Sequence, residues 1–139
     1  TGSVKVTALA EPEAHPTVHH LVSTITGELR TECDPIDLLL ASLPGGSITG
    51  APKIRAMEII AELEPVRRDV YCGCMAYLTP SGEMDSSIII RTFLAKKGEV
   101  YFSAGGGIVA DSDPDLEFQE TLHKAAGLFS ALETACRCS

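Results

Sequence analysis

The 139-residue chain is short of positive charge, and this shortage limits the partners it can have. It carries 11 Lys and Arg residues against 19 Asp and Glu residues, which gives a formal net charge of -8 at pH 7. A nucleic-acid-binding domain usually presents a basic patch, so the composition argues against a nucleic-acid partner. No apolar run approaches the roughly 20 residues that a bilayer-spanning helix needs. The sequence therefore predicts neither a nucleic-acid nor a membrane partner.

The cysteine pattern lacks the spacing of a structural zinc site. The five cysteines are Cys33, Cys72, Cys74, Cys136 and Cys138, an odd number without a C-x-x-C pair. Structural zinc sites use closely spaced ligand pairs. Cys72 and Cys74 are two residues apart on a predicted strand, where they would point to the same face. The simplest expectation is a reduced, cytoplasmic protein without structural zinc.

Length and composition predict one domain, residues 1–139, that is large enough to bury a core, with 45% hydrophobic residues. The residue pattern predicts strands at 17–26, 70–78, 87–95 and 100–104, and helices at 35–43, 51–63 and 114–136. The last three strands are joined by short connections, which favours an antiparallel meander. The predicted fold class is α+β, with helices packed on a mainly antiparallel sheet.

The most informative segment is the glycine-rich run at residues 44–53, Pro-Gly-Gly-Ser-Ile-Thr-Gly-Ala-Pro-Lys. Thr49 is a candidate N-cap and Pro52 suits the first turn of the helix that follows. Such a loop before a helix N-terminus suits a phosphate or a carboxylate. It is not a Walker A loop, because Gly50 is followed by Ala-Pro-Lys-Ile instead of Lys-Ser/Thr. A capped connection with no ligand is the alternative.

Two charged features each allow two interpretations. Glu117, Glu120 and Lys124 share one face of the last predicted helix, either as an ordinary ion-paired face or as part of a Mg²⁺ site. Arg91 follows three isoleucines on a predicted buried strand, where a charge needs a partner. It is either bridged within the protein or free to bind a carboxylate.

A histidine pair and a second glycine cluster complete the candidates. His19 and His20 point to opposite faces of a predicted strand, so one of them could carry protons while the other lies at the surface. The glycine segment at residues 105–107 follows a predicted strand, as either a bulge or a close approach of the backbone to a ligand.

These segments together resemble the chorismate-utilising enzymes. The resemblance rests on residues 44–60, on Tyr71-Cys-Gly73, on Asp85 with Ile90-Arg-Thr92, on Ala104-Gly-Gly-Gly-Ile-Val109 and on Glu117-x-x-Glu-Thr-x-x-Lys124. It runs from about residue 2 to residue 132. Within the superfamily, the first glycine-rich loop looks most like the aminodeoxychorismate synthase (para-aminobenzoate synthase) component I group, with anthranilate synthase component I as the alternative.

The resemblance implies a chorismate-binding fold, a Mg²⁺ cofactor and a set of site residues. Glu117 and Glu120 would hold Mg²⁺ against the ring carboxylate of chorismate, and His20 would be the active-site histidine. The implied substrate-binding residues are Ser47, Tyr71, Arg91, Gly105, Gly107 and Lys124. A glutamine amidotransferase subunit or domain would supply ammonia.

The resemblance also implies that this chain is the C-terminal part of a larger catalytic subunit. Members of the superfamily carry an upstream segment with another magnesium-binding Glu, and the aminodeoxychorismate synthases carry a nucleophilic lysine in a Pro-Ile-Lys-Gly-Thr motif that does not occur here. We therefore expect the chain alone to be inactive in turnover. A non-catalytic module that binds a small dianion or a partner is the alternative from another class.

Overall fold

The computed structural model describes residues 2–14 and 19–137, and for His19 and His20 it describes the backbone alone. The elements in chain order are β1 (Lys5–Ala14), β2 (His19–Thr26), α1 (Pro35–Ser42), α2 (Gly46–Thr49), α3 (Lys53–Leu63), β3 (Cys74–Leu78), β4 (Met84–Ile88), β5 (Leu94–Lys96), β6 (Glu99–Tyr101) and α4 (Pro114–Arg137). This mixture of helices and small antiparallel sheets confirms the predicted α+β class.

Contacts divide the chain into two compact units, Thr1–Leu40 and Ala41–Ser139. The first unit contains the antiparallel pair β1–β2, whose register brings Lys5 opposite Thr26. The start of α1 is capped, because the Asp37 N–H donates to the Asp34 carboxylate and the Asp34 N–H donates to the Asp37 carboxylate, both at 2.9 Å.

The second unit contains α2, α3, two hairpins and α4. Its most buried side chains are Ala125 and Leu128 on α4, at 5% and 8% exposure. Phe102 lies edge-to-face against Phe93 and against Phe129, with ring centroids 5.7 Å and 5.1 Å apart. These aromatic contacts attach the segment after β6 to α4.

The strands of the described chain pair two by two, as β1–β2, β3–β4 and β5–β6, so the expected three-stranded meander is wrong. The prediction of one continuous strand at 87–95 fails because the chain leaves the extended conformation after Ile88. Arg91 has a positive φ of 50°, and the Thr92 hydroxyl donates to the Ile90 carbonyl at 2.8 Å. Arg91 therefore lies between β4 and β5 and not on a central strand.

Two further predictions at single residues need correction. Thr49 does not cap α3, because it is the last residue of α2 and its hydroxyl donates back to the Gly45 carbonyl at 3.1 Å. Pro52 takes the N-cap position of α3, without a side-chain cap bond. Cys72 precedes β3 in a turn with φ 64°, so it does not share a strand face with Cys74.

Large apolar side chains are exposed over much of the described surface. Leu9 and Leu21 in the first unit and Ile54 and Leu63 on α3 are each at least 75% exposed. Within residues 2–14 and 19–137, no helix is both long enough and apolar enough to cross a bilayer.

Candidate functional site

A cavity of about 320 Å³ lies in the second unit. Its wall is formed by α2, by the turn at residues 68–73, by Ile90 and Arg91, by the glycine segment and by α4. All six predicted substrate-binding residues line it, namely Ser47, Tyr71, Arg91, Gly105, Gly107 and Lys124. The fold thus brings together positions that lie far apart in the sequence.

The cavity wall is positively charged although the chain is acidic. Its charged residues are Arg68, Arg91 and Lys124 against the single carboxylate of Glu64. A concave wall lined by one sign of charge focuses the field and attracts ligands of the opposite sign. The charge of the wall is therefore suited to a small anion.

Among the described residues, Arg91 is the cation of this wall that has no ion-pair partner. None of the described carboxylates forms an ion pair with it, although Arg30, Arg55 and Arg68 all have such partners. The positive φ turns its backbone out of the line of β4. Of the two interpretations of Arg91, the geometry favours a guanidinium that can bind a carboxylate on two donors.

Tyr71 is held in the cavity wall by a backbone-bonded turn. Its N–H donates to the Arg68 carbonyl at 2.9 Å, and the neighbouring Cys72 N–H donates to the Ile89 carbonyl at 2.9 Å. Its hydroxyl lies against the glycine segment, because a Cβ built on Gly105 would be 3.3 Å from the Tyr71 oxygen. Burial is the main cause that raises the pKa of the Tyr71 phenol, with further contributions from Cys72.

Glu64 and Arg68 form an ion pair at the edge of the cavity that the sequence analysis missed. Three hydrogen bonds join them, at 2.6, 2.9 and 3.1 Å. These bonds from Arg68 lower the pKa of the Glu64 carboxyl, and those to Glu64 raise the pKa of Arg68. The i,i+4 spacing was the available signal, but this segment reads as a polar turn in the sequence. The pair fixes the first residue of the turn that carries Tyr71.

The glycine segment also lies against the two carboxylates of α4. A Cβ on Gly106 would be 3.1 Å from Glu117 Oε2 and 3.9 Å from Glu120 Oε1. A Cβ contact at 3.1 Å is tighter than most, so the Glu117 carboxylate would have to move by a few tenths of an ångström to admit a side chain here. The close approach seen here is to side chains of this chain, and the predicted approach of the glycine cluster to a ligand stays a prediction. Gly106 was not among the predicted site residues, because the resemblance implied roles only for its neighbours Gly105 and Gly107.

One oxygen of Glu117 has an unusual environment. Glu117 Oε2 is inaccessible to solvent and has no hydrogen-bond partner among the described residues. The other oxygen, Oε1, accepts a 2.5 Å hydrogen bond from the Ser112 hydroxyl. A buried acceptor without a partner is costly, and this sets Oε2 apart from the hydrogen-bonded Oε1.

Glu120 and Lys124 form the ion pair that the i,i+4 spacing predicts. Lys124 nevertheless lines the cavity. Among the described residues there is no group of three or more His, Cys, Asp or Glu side chains arranged to hold a metal ion. Glu117 and Glu120 thus supply two carboxylates, which matches how Mg²⁺ is commonly held, with substrate oxygens and water completing its ligands.

The predicted catalytic residue, His20, lies in the first unit. Its backbone pairs with Glu13 in the β1–β2 ladder, and its side chain lies outside what the structure describes. Its role stays a prediction.

The chain matches the family model of chorismate binding enzymes over residues 1–130. It is 58% identical over 132 residues to aminodeoxychorismate synthase component 1 of Salmonella typhimurium, covering 95% of this chain and 29% of the relative. It is 52% identical over 134 residues to anthranilate synthase component 1 of Pseudomonas aeruginosa, covering 96% of this chain and 27% of that protein.

A solved structure of a related enzyme shares the fold of this chain. The crystal structure of anthranilate synthase component I from Streptococcus pneumoniae superposes with a TM-score of 0.84 at 48% identity, covering 88% of this chain and 28% of that one. The cationic cavity beside a glycine segment and two carboxylates thus belongs to an α+β chorismate-binding fold. The chain is a member of the chorismate binding enzyme family. It spans less than a third of the length of these relatives.

We expect the titration of Tyr71 to report its burial. The pKa of its phenol is raised above the unperturbed value of 10.0, so the neutral phenol stabilises the folded chain. That contribution is complete below about pH 10 and is lost as the pH rises through the folded pKa. Subtracting the ultraviolet absorbance titration of Tyr71→Phe from that of the unchanged chain should give a curve with its midpoint above 10. A midpoint at or below 10 would contradict the described position of Tyr71.

Proposed function

We propose that this chain is the chorismate-binding part of an aminodeoxychorismate synthase component I. The reaction would be the Mg²⁺-dependent amination of chorismate to 4-amino-4-deoxychorismate, on the route to para-aminobenzoate and folate. The observation that carries the proposal is one cavity whose wall gathers the six predicted substrate-binding residues, Arg91 and Lys124 among them, together with the cation Arg68. Relatives named for this reaction, at 56–58% identity, support it.

The chemistry of the substrate fits the charge of the cavity. Chorismate is a dianion with one carboxylate on the ring and one on the enolpyruvyl group. The free guanidinium of Arg91 would bind the enolpyruvyl carboxylate on two donors, with the Tyr71 hydroxyl beside it. Among the described residues, no acceptor takes a hydrogen bond from the backbone N–H of Gly105 or Gly107. These donors would complete the binding of that carboxylate.

The other carboxylate would lie near Ser47, Lys124 and the two glutamates of α4. A bound Mg²⁺ there would neutralise the ring carboxylate and orient the ring by electrostatic attraction. The buried, unpartnered Glu117 Oε2 and the neighbouring Glu120 are the residues that would hold it. Lys124, which pairs with Glu120, would then be free to contact the substrate carboxylate.

The remaining parts of the reaction are proposed from the resemblance. His20 would act as the active-site histidine, and a glutamine amidotransferase subunit or domain would supply ammonia. The cytoplasm would be the location. The name "component 1" of the relatives supports a partner component for those proteins.

Anthranilate synthase component I is the second candidate. It is supported by the 52% identity to the Pseudomonas aeruginosa relative and by the superposition on the Streptococcus pneumoniae structure. The residues of the cavity do not separate the two reactions, because both begin from the same dianion. A third possibility, a binding module without turnover, would share the cavity but not the reaction.

Arg91→Gln should weaken chorismate binding by roughly tenfold or more, because it removes the guanidinium that pairs with a carboxylate. Isothermal titration of the 139-residue chain with chorismate and Mg²⁺ measures this. The matched control is Arg55→Gln, which removes a cation of α3 that does not line the cavity and is paired with Glu58. Equal affinities for Arg91→Gln and the unchanged chain would contradict the assigned role of Arg91.

A chimera tests the reaction itself. In the first chimera, this chain replaces the 132-residue segment of Escherichia coli aminodeoxychorismate synthase component 1 to which it is 57% identical. In the second chimera, it replaces the matching segment of the Pseudomonas aeruginosa anthranilate synthase component 1. We expect the first chimera to form 4-amino-4-deoxychorismate from chorismate and ammonia, as read by mass spectrometry. If only the second chimera is active, anthranilate synthase is the better assignment. If both chimeras are folded and bind chorismate but neither is active, a binding module without turnover is the better assignment.

A further inference from the structure

A serine outside the cavity wall controls how Glu117 presents its carboxylate. Ser112 precedes α4 and its hydroxyl donates to Glu117 Oε1 at 2.5 Å. This is the length of a charge-assisted O–H···O⁻ bond, which is among the stronger hydrogen bonds in proteins. Because Oε1 is used in this way, Oε2 is the oxygen that has no hydrogen-bond partner within the described part of the chain.

The serine is itself fixed by the backbone on two sides. Its hydroxyl accepts a hydrogen bond from the Val109 N–H at 3.0 Å, and its own N–H donates to the Val109 carbonyl at 3.1 Å. The accepted bond orients the hydroxyl so that its proton points to Glu117. The turn that follows the glycine segment is thereby linked to the carboxylate of α4.

The start of α4 is held separately from this serine. The Asp113 carboxylate accepts hydrogen bonds from the N–H groups of Asp115 and Leu116, both at 3.0 Å. The Glu117 N–H donates to the Asp113 carbonyl at 3.0 Å. Asp113 therefore caps the helix, and Ser112 is left to orient the Glu117 side chain.

The orientation of the Glu117 carboxylate determines which of its oxygens lies next to the glycine segment and Glu120. Oε2 faces Gly106, where a Cβ would stand 3.1 Å away, and Glu120 Oε1 borders the same point at 3.9 Å. A rotated Glu117 carboxylate would present its hydrogen-bonded oxygen there instead. The hydroxyl of Ser112 thus selects which oxygen faces the space between α4 and the glycine segment.

We propose that Ser112 is a positioning residue that orients Glu117 so that Oε2 can ligate a divalent cation at the cavity. This inference rests on the proposed function, in which Glu117 and Glu120 hold the cation. Hydrogen-bond partners of metal-ligating carboxylates commonly contribute about 10- to 100-fold to metal affinity. Ser112 would act through Glu117 without touching the substrate.

The test measures Mn²⁺ binding by electron paramagnetic resonance, using the 139-residue chain with chorismate present. Ser112→Ala should weaken Mn²⁺ binding by about tenfold or more, whereas Ser112→Thr, which keeps the hydroxyl, should stay within about threefold of the unchanged chain. Ser87→Ala is the matched control, because Ser87 is an exposed residue of β4 away from the cavity. Circular dichroism checks that each variant is folded.

A double-mutant comparison separates positioning from a general structural effect. If Ser112 acts through Glu117, then Ser112→Ala should cost no further Mn²⁺ affinity in a chain that already carries Glu117→Gln. An additive loss of Mn²⁺ affinity in the double variant would overturn the inference. It would also be overturned if Ser112→Ala bound Mn²⁺ like the unchanged chain while Glu117→Gln bound it weakly. If Glu117→Gln also binds like the unchanged chain, the metal role of Glu117 in the proposed function fails, and the inference fails with it.

Discussion

The site depends on the close approach of one backbone segment to two neighbouring groups. The glycine segment at residues 105–107 lies against the Tyr71 hydroxyl through Gly105 and against the Glu117 carboxylate through Gly106. A Cβ at Gly105 or Gly106 would lie only 3.3 Å from the phenol oxygen or 3.1 Å from the carboxylate, so that group would have to move by a few tenths of an ångström. Neither glycine has a positive φ, so these glycines serve the approach and not an unusual backbone conformation. Through these two contacts the glycine segment lies between the Tyr71 hydroxyl and the Glu117 carboxylate of α4.

Electrostatics then gives the cavity its selectivity. An acidic chain with a formal net charge of -8 gathers Arg68, Arg91 and Lys124 around one small space. Two of these cations are already paired, Arg68 with Glu64 and Lys124 with Glu120. Among the described residues, Arg91 has no ion-pair partner and Glu117 Oε2 has no hydrogen-bond partner. Under the proposed function they would bind an anion and a cation. A dianion with a divalent metal satisfies both at once, and this agreement supports the proposed ligand.

Much of the site could be predicted from sequence because glycine runs and charged pairs mark it locally. The glycine-rich loop, the second glycine cluster and the Glu117-x-x-Glu spacing can be recognised without a structure. The cavity is lined by the six substrate-binding residues that the family resemblance implied, whereas Glu117 and Glu120 are not among its lining residues and the side chain of His20 lies outside what the structure describes. Helix α1 was also predictable, because Asp34 is a capping residue at its start. Helix α4 was predictable because apolar residues recur at helical spacing along its whole length. The family itself was predicted and is confirmed.

The failures occur where distant contacts decide the local conformation. The three isoleucines before Arg91 favour a strand by propensity, but the chain turns at Arg91 into a left-handed conformation that no short pattern signals. Strand β1 was missed because Pro12 and its acidic neighbours interrupt the alternation expected of a strand. Ser112 carries no motif, and its role becomes visible only from its distance to Glu117.

The most direct test of the central claim is a nuclear magnetic resonance titration of the isotopically labelled chain with chorismate in the presence of Mg²⁺. The account predicts that the amide signals of Gly105, Gly106 and Gly107 and the side-chain signal of Arg91 shift together and saturate at one affinity. The signal of Ser87, which does not line the cavity, should stay in place. Shifts confined to residues outside the cavity, or no saturable shift at all in a folded chain, would contradict the assignment of this cavity as the chorismate site.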